Sequence, residues 1–89
     1  MTDSYSLPLA KSAERELRAL PKSDRLRVIQ RIRGLAKNPR PTGSQKLSDQ
    51  ECYRVRQGDY RIVYAVDDTA RTVNIVKIGH RREVYRDLN

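Results

Sequence analysis

Residues 53–66 read YRVRQGDYRIVYAV, and the Gly58-Asp59 pair at their centre decides how the rest of the chain is arranged. On either side, apolar and polar residues alternate, as in strands with one buried face. A two-residue loop at Gly58-Asp59 suits a type II′ turn, because glycine tolerates the positive φ needed at the first central position. That turn predicts Gln57 opposite Tyr60, Arg56 opposite Arg61 and Val55 opposite Ile62. Tyr53, Val55, Ile62 and Tyr64 then share one face, and Arg54, Arg56 and Arg61 share the other. A three-residue loop would slip the register by one and drive Arg61 against Val55 in the core.

Working outward, residues 51–57, 60–67 and 71–79 are strand candidates joined by short connections, which predicts an antiparallel meander. A turn over 67–70 sets Tyr64 opposite Val73 and Ile62 opposite Ile75, extending the apolar face. Val63, Ala65, Val76 and Ile78 are expected on the mixed face with the arginines. Before the hairpin, NPRPTGSQK (38–46) holds two prolines, one glycine and no apolar side chain, so it reads as loop. Earlier still, Ala10, Ala13, Leu17 and Leu20 recur at helical spacing over 9–20, and Pro21 ends that helix. Ser23 is the expected N-cap of a second helix, with Asp24 in its first turn. Val28, Ile29, Ile32, Leu35 and Ala36 form its apolar arc, Arg25, Arg27, Arg31 and Arg33 decorate the remainder, and it stops near Asn38-Pro39. Tyr5 and Leu7 alternate with polar residues before Pro8 and permit a short first strand. The order is β-α-α-β-β-β: a single small α+β domain spanning residues 1–89, its two helices packed on one face of an antiparallel sheet.

Eighty-nine residues suffice for one domain, and with 37% hydrophobic residues nearly every apolar side chain is needed inside. Nineteen Lys and Arg against eleven Asp and Glu give a net charge of +8, which favours a polyanionic partner such as nucleic acid. The single cysteine excludes an internal disulfide, and Cys52 with His80 cannot complete a structural zinc site. The start, MTDSYSLPLAK, lacks a basic leader followed by an apolar stretch, and no run reaches the roughly 18 apolar residues of a membrane span. A soluble, cytoplasmic protein without membrane association is expected.

Arg56 and Arg61, directly opposite, repel one another. Either solvent screens them or an anion sits between them, and Arg54 on the same face enlarges the cluster an anion would meet. After the last strand, GHRREVYRDLN brings His80, Arg81, Arg82 and Tyr85 towards one edge of the basic face.

These motifs resemble the RelE/ParE toxin superfamily of toxin–antitoxin systems, and its RelE branch most. The resemblance spans almost the whole chain. It rests on the two charged helices, the loop before Lys46-Leu47, the hairpin Tyr53-Arg54-Val55-Arg56 with Gly58-Asp59-Tyr60-Arg61-Ile62-Val63-Tyr64, and the ending Ile78-Gly79-His80-Arg81-Arg82-Glu83-Val84-Tyr85. It implies a ribosome-dependent endoribonuclease, an mRNA interferase that cuts in the A site without metal or other cofactor. The RNA 2′-hydroxyl would attack the adjacent phosphate and leave a 2′,3′-cyclic phosphate. Expected partners are a RelB-like antitoxin, the ribosome with its rRNA and mRNA, and operator DNA only indirectly through the antitoxin complex. By position, Arg61 and Arg81 match arginines that contact the scissile phosphate, and Arg54 and Arg56 match positions that are lysines in well-known relatives. Arg82 joins the phosphate-binding set. Tyr85 matches the tyrosine held to act as base on the 2′-hydroxyl.

The two lysine-to-arginine differences matter, because arginine does not give up its proton. His80 is therefore the expected general acid for the 5′-oxygen. Two other functions fit the same charge: a ParE-like inhibitor of DNA gyrase without nuclease activity, and a non-catalytic basic module that binds nucleic acid.

Overall fold

The computed structural model describes residues 4–47 and 51–80. Helices α1 (Lys11–Arg18) and α2 (Lys22–Lys37) precede strands β1 (Gln45–Lys46), β2 (Cys52–Gln57), β3 (Tyr60–Asp67) and β4 (Thr72–His80). The strands form one antiparallel sheet in the order β1-β2-β3-β4.

The first hairpin has the register its turn demands: Gln57 opposite Tyr60, Arg56 opposite Arg61, Val55 opposite Ile62. Gly58 stands at φ 61° while Asp59 keeps a negative φ, the type II′ pattern. The second hairpin departs from expectation. Tyr64 faces Ile75 rather than Val73, because Asp67 pairs with Thr72 around a four-residue turn. In that turn the Asp67 carboxylate accepts the Ala70 N–H at 2.9 Å and Arg71 adopts φ 58°. A bulge follows: Tyr64 pairs with Ile75 but Val63 with Lys77, so Val76 is an extra residue in β4. The bulge inverts the alternation beyond it. Ile78 therefore faces Ile62 inside the core, not the arginines, and Val76 is left 41% exposed. Val63 does share the arginine face, but it is fully buried.

Two smaller corrections concern the ends of elements. The second helix starts at Lys22 with Pro21 at the N-cap position and no side-chain cap, so Ser23 lies inside its first turn. Proline is acceptable there because the first helical N–H groups have no intrahelical partner anyway. The segment expected as a first strand instead makes isolated parallel bridges, Ser6 to Thr72 and Leu9 to Ile75, along the outer edge of β4. Val73 donates to the Ser6 carbonyl, Ile75 to that of Pro8, and Ala10 to that of Ile75, all within 2.8–2.9 Å. Glu16 of α1 continues the cover, accepting the Ile78 N–H at 3.0 Å and the Lys77 ammonium at 2.5 Å. An exposed row of backbone donors and acceptors is thereby closed.

Between helices and sheet lie Ala13, Val28, Ile32 and Leu35 from the helices and Tyr53, Val55, Ile62, Tyr64, Val66, Val73, Ile75 and Ile78 from the strands. Tyr53 and Tyr64 stack with centroids 5.8 Å apart, and the Tyr64 hydroxyl donates to the Pro39 carbonyl at 2.7 Å. Burial pushes that phenol's pKa up to about 12. Arg40, in the loop after α2, lies over the Tyr53 ring and donates to the Tyr53 hydroxyl at 2.9 Å, to Asp68 at 2.9 Å and to Glu51. Its guanidinium holds both carboxylates below their usual range. This network ties the loop to β2 and to the β3–β4 turn.

Candidate functional site

Side chains alternate along a strand, so the apolar packing that buries Tyr53, Val55, Ile62 and Tyr64 forces Arg54, Arg56 and Arg61 to the reverse face. β1 adds Gln45 beside them, opposite Arg54. Together with Gly43 these four side chains line one cleft of about 250 Å³. Gly43 has φ 97°, a backbone conformation that glycine adopts without strain, and it carries the chain into β1.

The cleft concentrates positive charge. Arg56 is exposed and faces Arg61 directly, whereas Arg61 is only 8% exposed. A guanidinium held out of water attracts an anion more strongly than a solvated one. Arg61 also donates to the Tyr60 carbonyl at 3.3 Å, which restrains its direction. Arg54 donates to the Gln45 amide oxygen. Planar guanidinium forks match the paired oxygens of a phosphate group, so three of them in one cleft have the chemistry to bind such an anion.

The structure brings together Arg54, Arg56 and Arg61 from the expected set. It does not bring His80 to them. The bulge-shifted register sets His80 opposite Tyr60, on the helix-covered face, where the two rings meet edge to face at 6.2 Å. There His80 lines a separate depression with Glu16, Ala19, Leu20 and Ile78. Arg81, Arg82 and Tyr85 lie outside the described residues. Gln45 was absent from the expected set. Its segment reads as loop, and a two-residue strand has no periodicity to detect; the one available signal was its place just before Lys46-Leu47.

The family model of the ParE toxin of type II toxin–antitoxin systems matches residues 7–85 of the chain. Toxin RelE of Mycobacterium tuberculosis is 34% identical over 84 residues, covering 92% of this chain and 87% of that protein. Toxin RelG of the same organism is 30% identical over 84 residues, covering 92% and 97%. Among solved structures, the toxin–antitoxin complex RelBE2 from M. tuberculosis matches with TM-score 0.78 and 28% identity, over 91% of this chain and 94% of the other. The isolated E. coli RelE toxin matches with TM-score 0.79 and 26% identity, over 96% and 95%.

Proposed function

The chain belongs to the ParE/RelE family of type II toxin–antitoxin toxins, and from that premise we propose that it is an endoribonuclease that cuts mRNA on the ribosome. The observation that supports this reading is the convergence of Arg54, Arg56 and Arg61 in one cleft on the face opposite the helices. In the proposed reaction the 2′-oxygen attacks the neighbouring phosphorus while its proton passes to Tyr85, which must first have lost its own proton and act as a phenolate, a form that nearby guanidinium charge favours. The bond from phosphorus to the 5′-oxygen breaks, leaving a 2′,3′-cyclic phosphate. The departing 5′-oxygen, hydrogen-bonded to a guanidinium, takes its proton from water. Negative charge grows on the phosphorane oxygens, and Arg61, Arg56, Arg54 and Arg81 stabilise it as hydrogen-bond donors. Arg82 adds phosphate affinity. His80 takes no part, because it stands on the other face of the sheet.

The partner proposed for the free toxin is a RelB-like antitoxin, as in the RelBE2 complex. The rRNA would meet the exposed basic helical surface, where Lys11, Arg15 and Arg18 cluster.

One observation favours a second reading: the matching family model is that of ParE toxins, in line with a gyrase inhibitor that needs no chemistry. The identities to RelE and RelG and the arginine cleft favour the nuclease. Primer-extension mapping of a translated mRNA separates the two. Wild-type protein is expected to produce discrete cuts on the ribosome, and Arg61→Ala and Tyr85→Phe to abolish them. Intact mRNA together with stalled gyrase would reject the nuclease.

A further inference from the structure

α2 turns one of its cations towards the loop that carries Gly43. Arg31 is half-buried, and among the described residues its Nε is the one buried side-chain nitrogen or oxygen without a hydrogen-bond partner. A buried donor left unpaired destabilises a fold, so such an atom calls for an account. Its surroundings in the sequence offer no counter-charge. One turn away on α2 stand Arg27, Val28, Gly34 and Leu35, and residues 38–47 include no Asp or Glu. Among the described residues no ion pair includes Arg31; Glu14, Glu16, Glu51 and Asp68 hold other cations. What Arg31 does face is Gly43. Its Nη2 lies 3.9 Å from the place that a Gly43 Cβ would take, and Gly43 is part of the wall of the arginine cleft.

We propose that Arg31 is a fourth cation of this cleft, attracting a bound RNA phosphate across Gly43. The inference rests on the reading of the cleft as the place where RNA binds. A side chain at 43 would point at Arg31 and thicken the wall; glycine leaves only backbone between the cation and the cleft. Arg31 is not itself a lining residue, so it acts through its field and not by contact. A phosphate seated on Gly43 would stand about 8 Å from the guanidinium. At an effective dielectric constant of about 20, that attraction raises affinity by about thirtyfold before screening. Salt at about 0.15 M reduces the effect to about threefold. The unpaired donor then marks a side chain placed for its charge and not for the stability of the fold.

The test uses the full-length chain, with anisotropy of a dye-labelled single-stranded RNA at two ionic strengths and thermal melting alongside. Arg31→Met keeps an apolar stem and removes both the charge and the orphaned N–H. It should weaken binding about tenfold near 0.01 M salt and about threefold near 0.15 M, and it should melt no lower than wild type. Arg31→Lys restores the charge and should recover most of the affinity at both ionic strengths. Arg61→Ala is the control for the cleft itself and should weaken binding at both.

Wild-type affinity in Arg31→Met at low salt would overturn the inference, as would an Arg31→Lys variant as weak as Arg31→Met. A melting temperature lower by more than about 4 °C in Arg31→Met would make Arg31 a structural residue and overturn it too. If Arg61→Ala weakens binding and Arg31→Met does not, the cleft reading stands and this inference alone falls. If Arg61→Ala binds like wild type, or wild type binds no RNA, both fall. Whether mRNA is cut is reported separately by primer extension.

Discussion

Arg61 combines near-complete burial with a place in the cleft wall, and this gives it more leverage over an anion there than the exposed Arg56. Replacing it with alanine should slow cleavage by about a hundredfold to a thousandfold, the usual cost of one preorganised donor. His80→Gln should change the rate by less than about threefold on the same assay, being smaller than any loss of a direct transition-state contact. A loss in His80→Gln as large as in Arg61→Ala would overturn its placement outside the chemistry. Tyr64 offers a test of the core. Its phenol, pushed up to about 12 by burial, is required neutral in the folded state. Its stabilising effect is complete below the unfolded value of about 10 and is lost as pH rises through about 12. Tyr5, whose pKa is raised by its bond to Asp68, acts in the same direction. Tyr64→Phe should therefore flatten the alkaline fall of stability seen in denaturant titrations. It should also cost about 1–3 kcal/mol at neutral pH, by orphaning the Pro39 carbonyl. At this scale the arginine cluster was legible in the sequence, since period-two alternation is enforced by the apolar residues between the arginines. The place of Gln45 in the cleft was not legible, because it depends on the pairing of a two-residue strand with a residue nine positions away.

Elements divide according to whether their geometry is locally determined. The first hairpin could be read from Gly58-Asp59 because one positive φ selects the turn, and the turn selects the register. β4 could not, because Val73, Ile75, Val76 and Ile78 offer apolar residues to both faces, and only pairing with β3 shows that the extra residue is Val76. The same inversion carried His80 away from the arginines, so one unreadable residue accounts for the largest error about the site. The edge cover of β4 was equally hidden, since it joins α1 to a strand about sixty residues later in sequence. Its worth can be measured. Glu16→Ala removes the acceptor of the Ile78 N–H and the partner of Lys77, and should lower the unfolding free energy by about 1–3 kcal/mol in urea melts. Glu16→Gln retains an acceptor and should recover most of that. Equal losses in the two variants would assign the effect to charge alone.

For the whole molecule, +8 on 89 residues means that folding gathers like charges, as where Arg56 pairs across the hairpin with Arg61. A polyanion that binds only the folded form should stabilise it, by about 2.7 kcal/mol at a hundredfold excess over its dissociation constant. Differential scanning fluorimetry with heparin should show a rising melting temperature, and added salt should erase the rise. Arg56→Ala should raise the melting temperature without heparin and shrink the response to it. No shift with heparin would argue against the cleft as an anion receptor. Domain class and layer order were legible at this scale from element order alone; the way the chain begins against its last described strand was not. That contact has a consequence for synthesis. Residues 6–10 have no edge to bind until residues 72–75 have been made, so a growing chain cannot close its sheet until most of it has left the exit tunnel. If the protein does attack ribosomes, the one that makes each copy is among the last places where that copy is still unfinished.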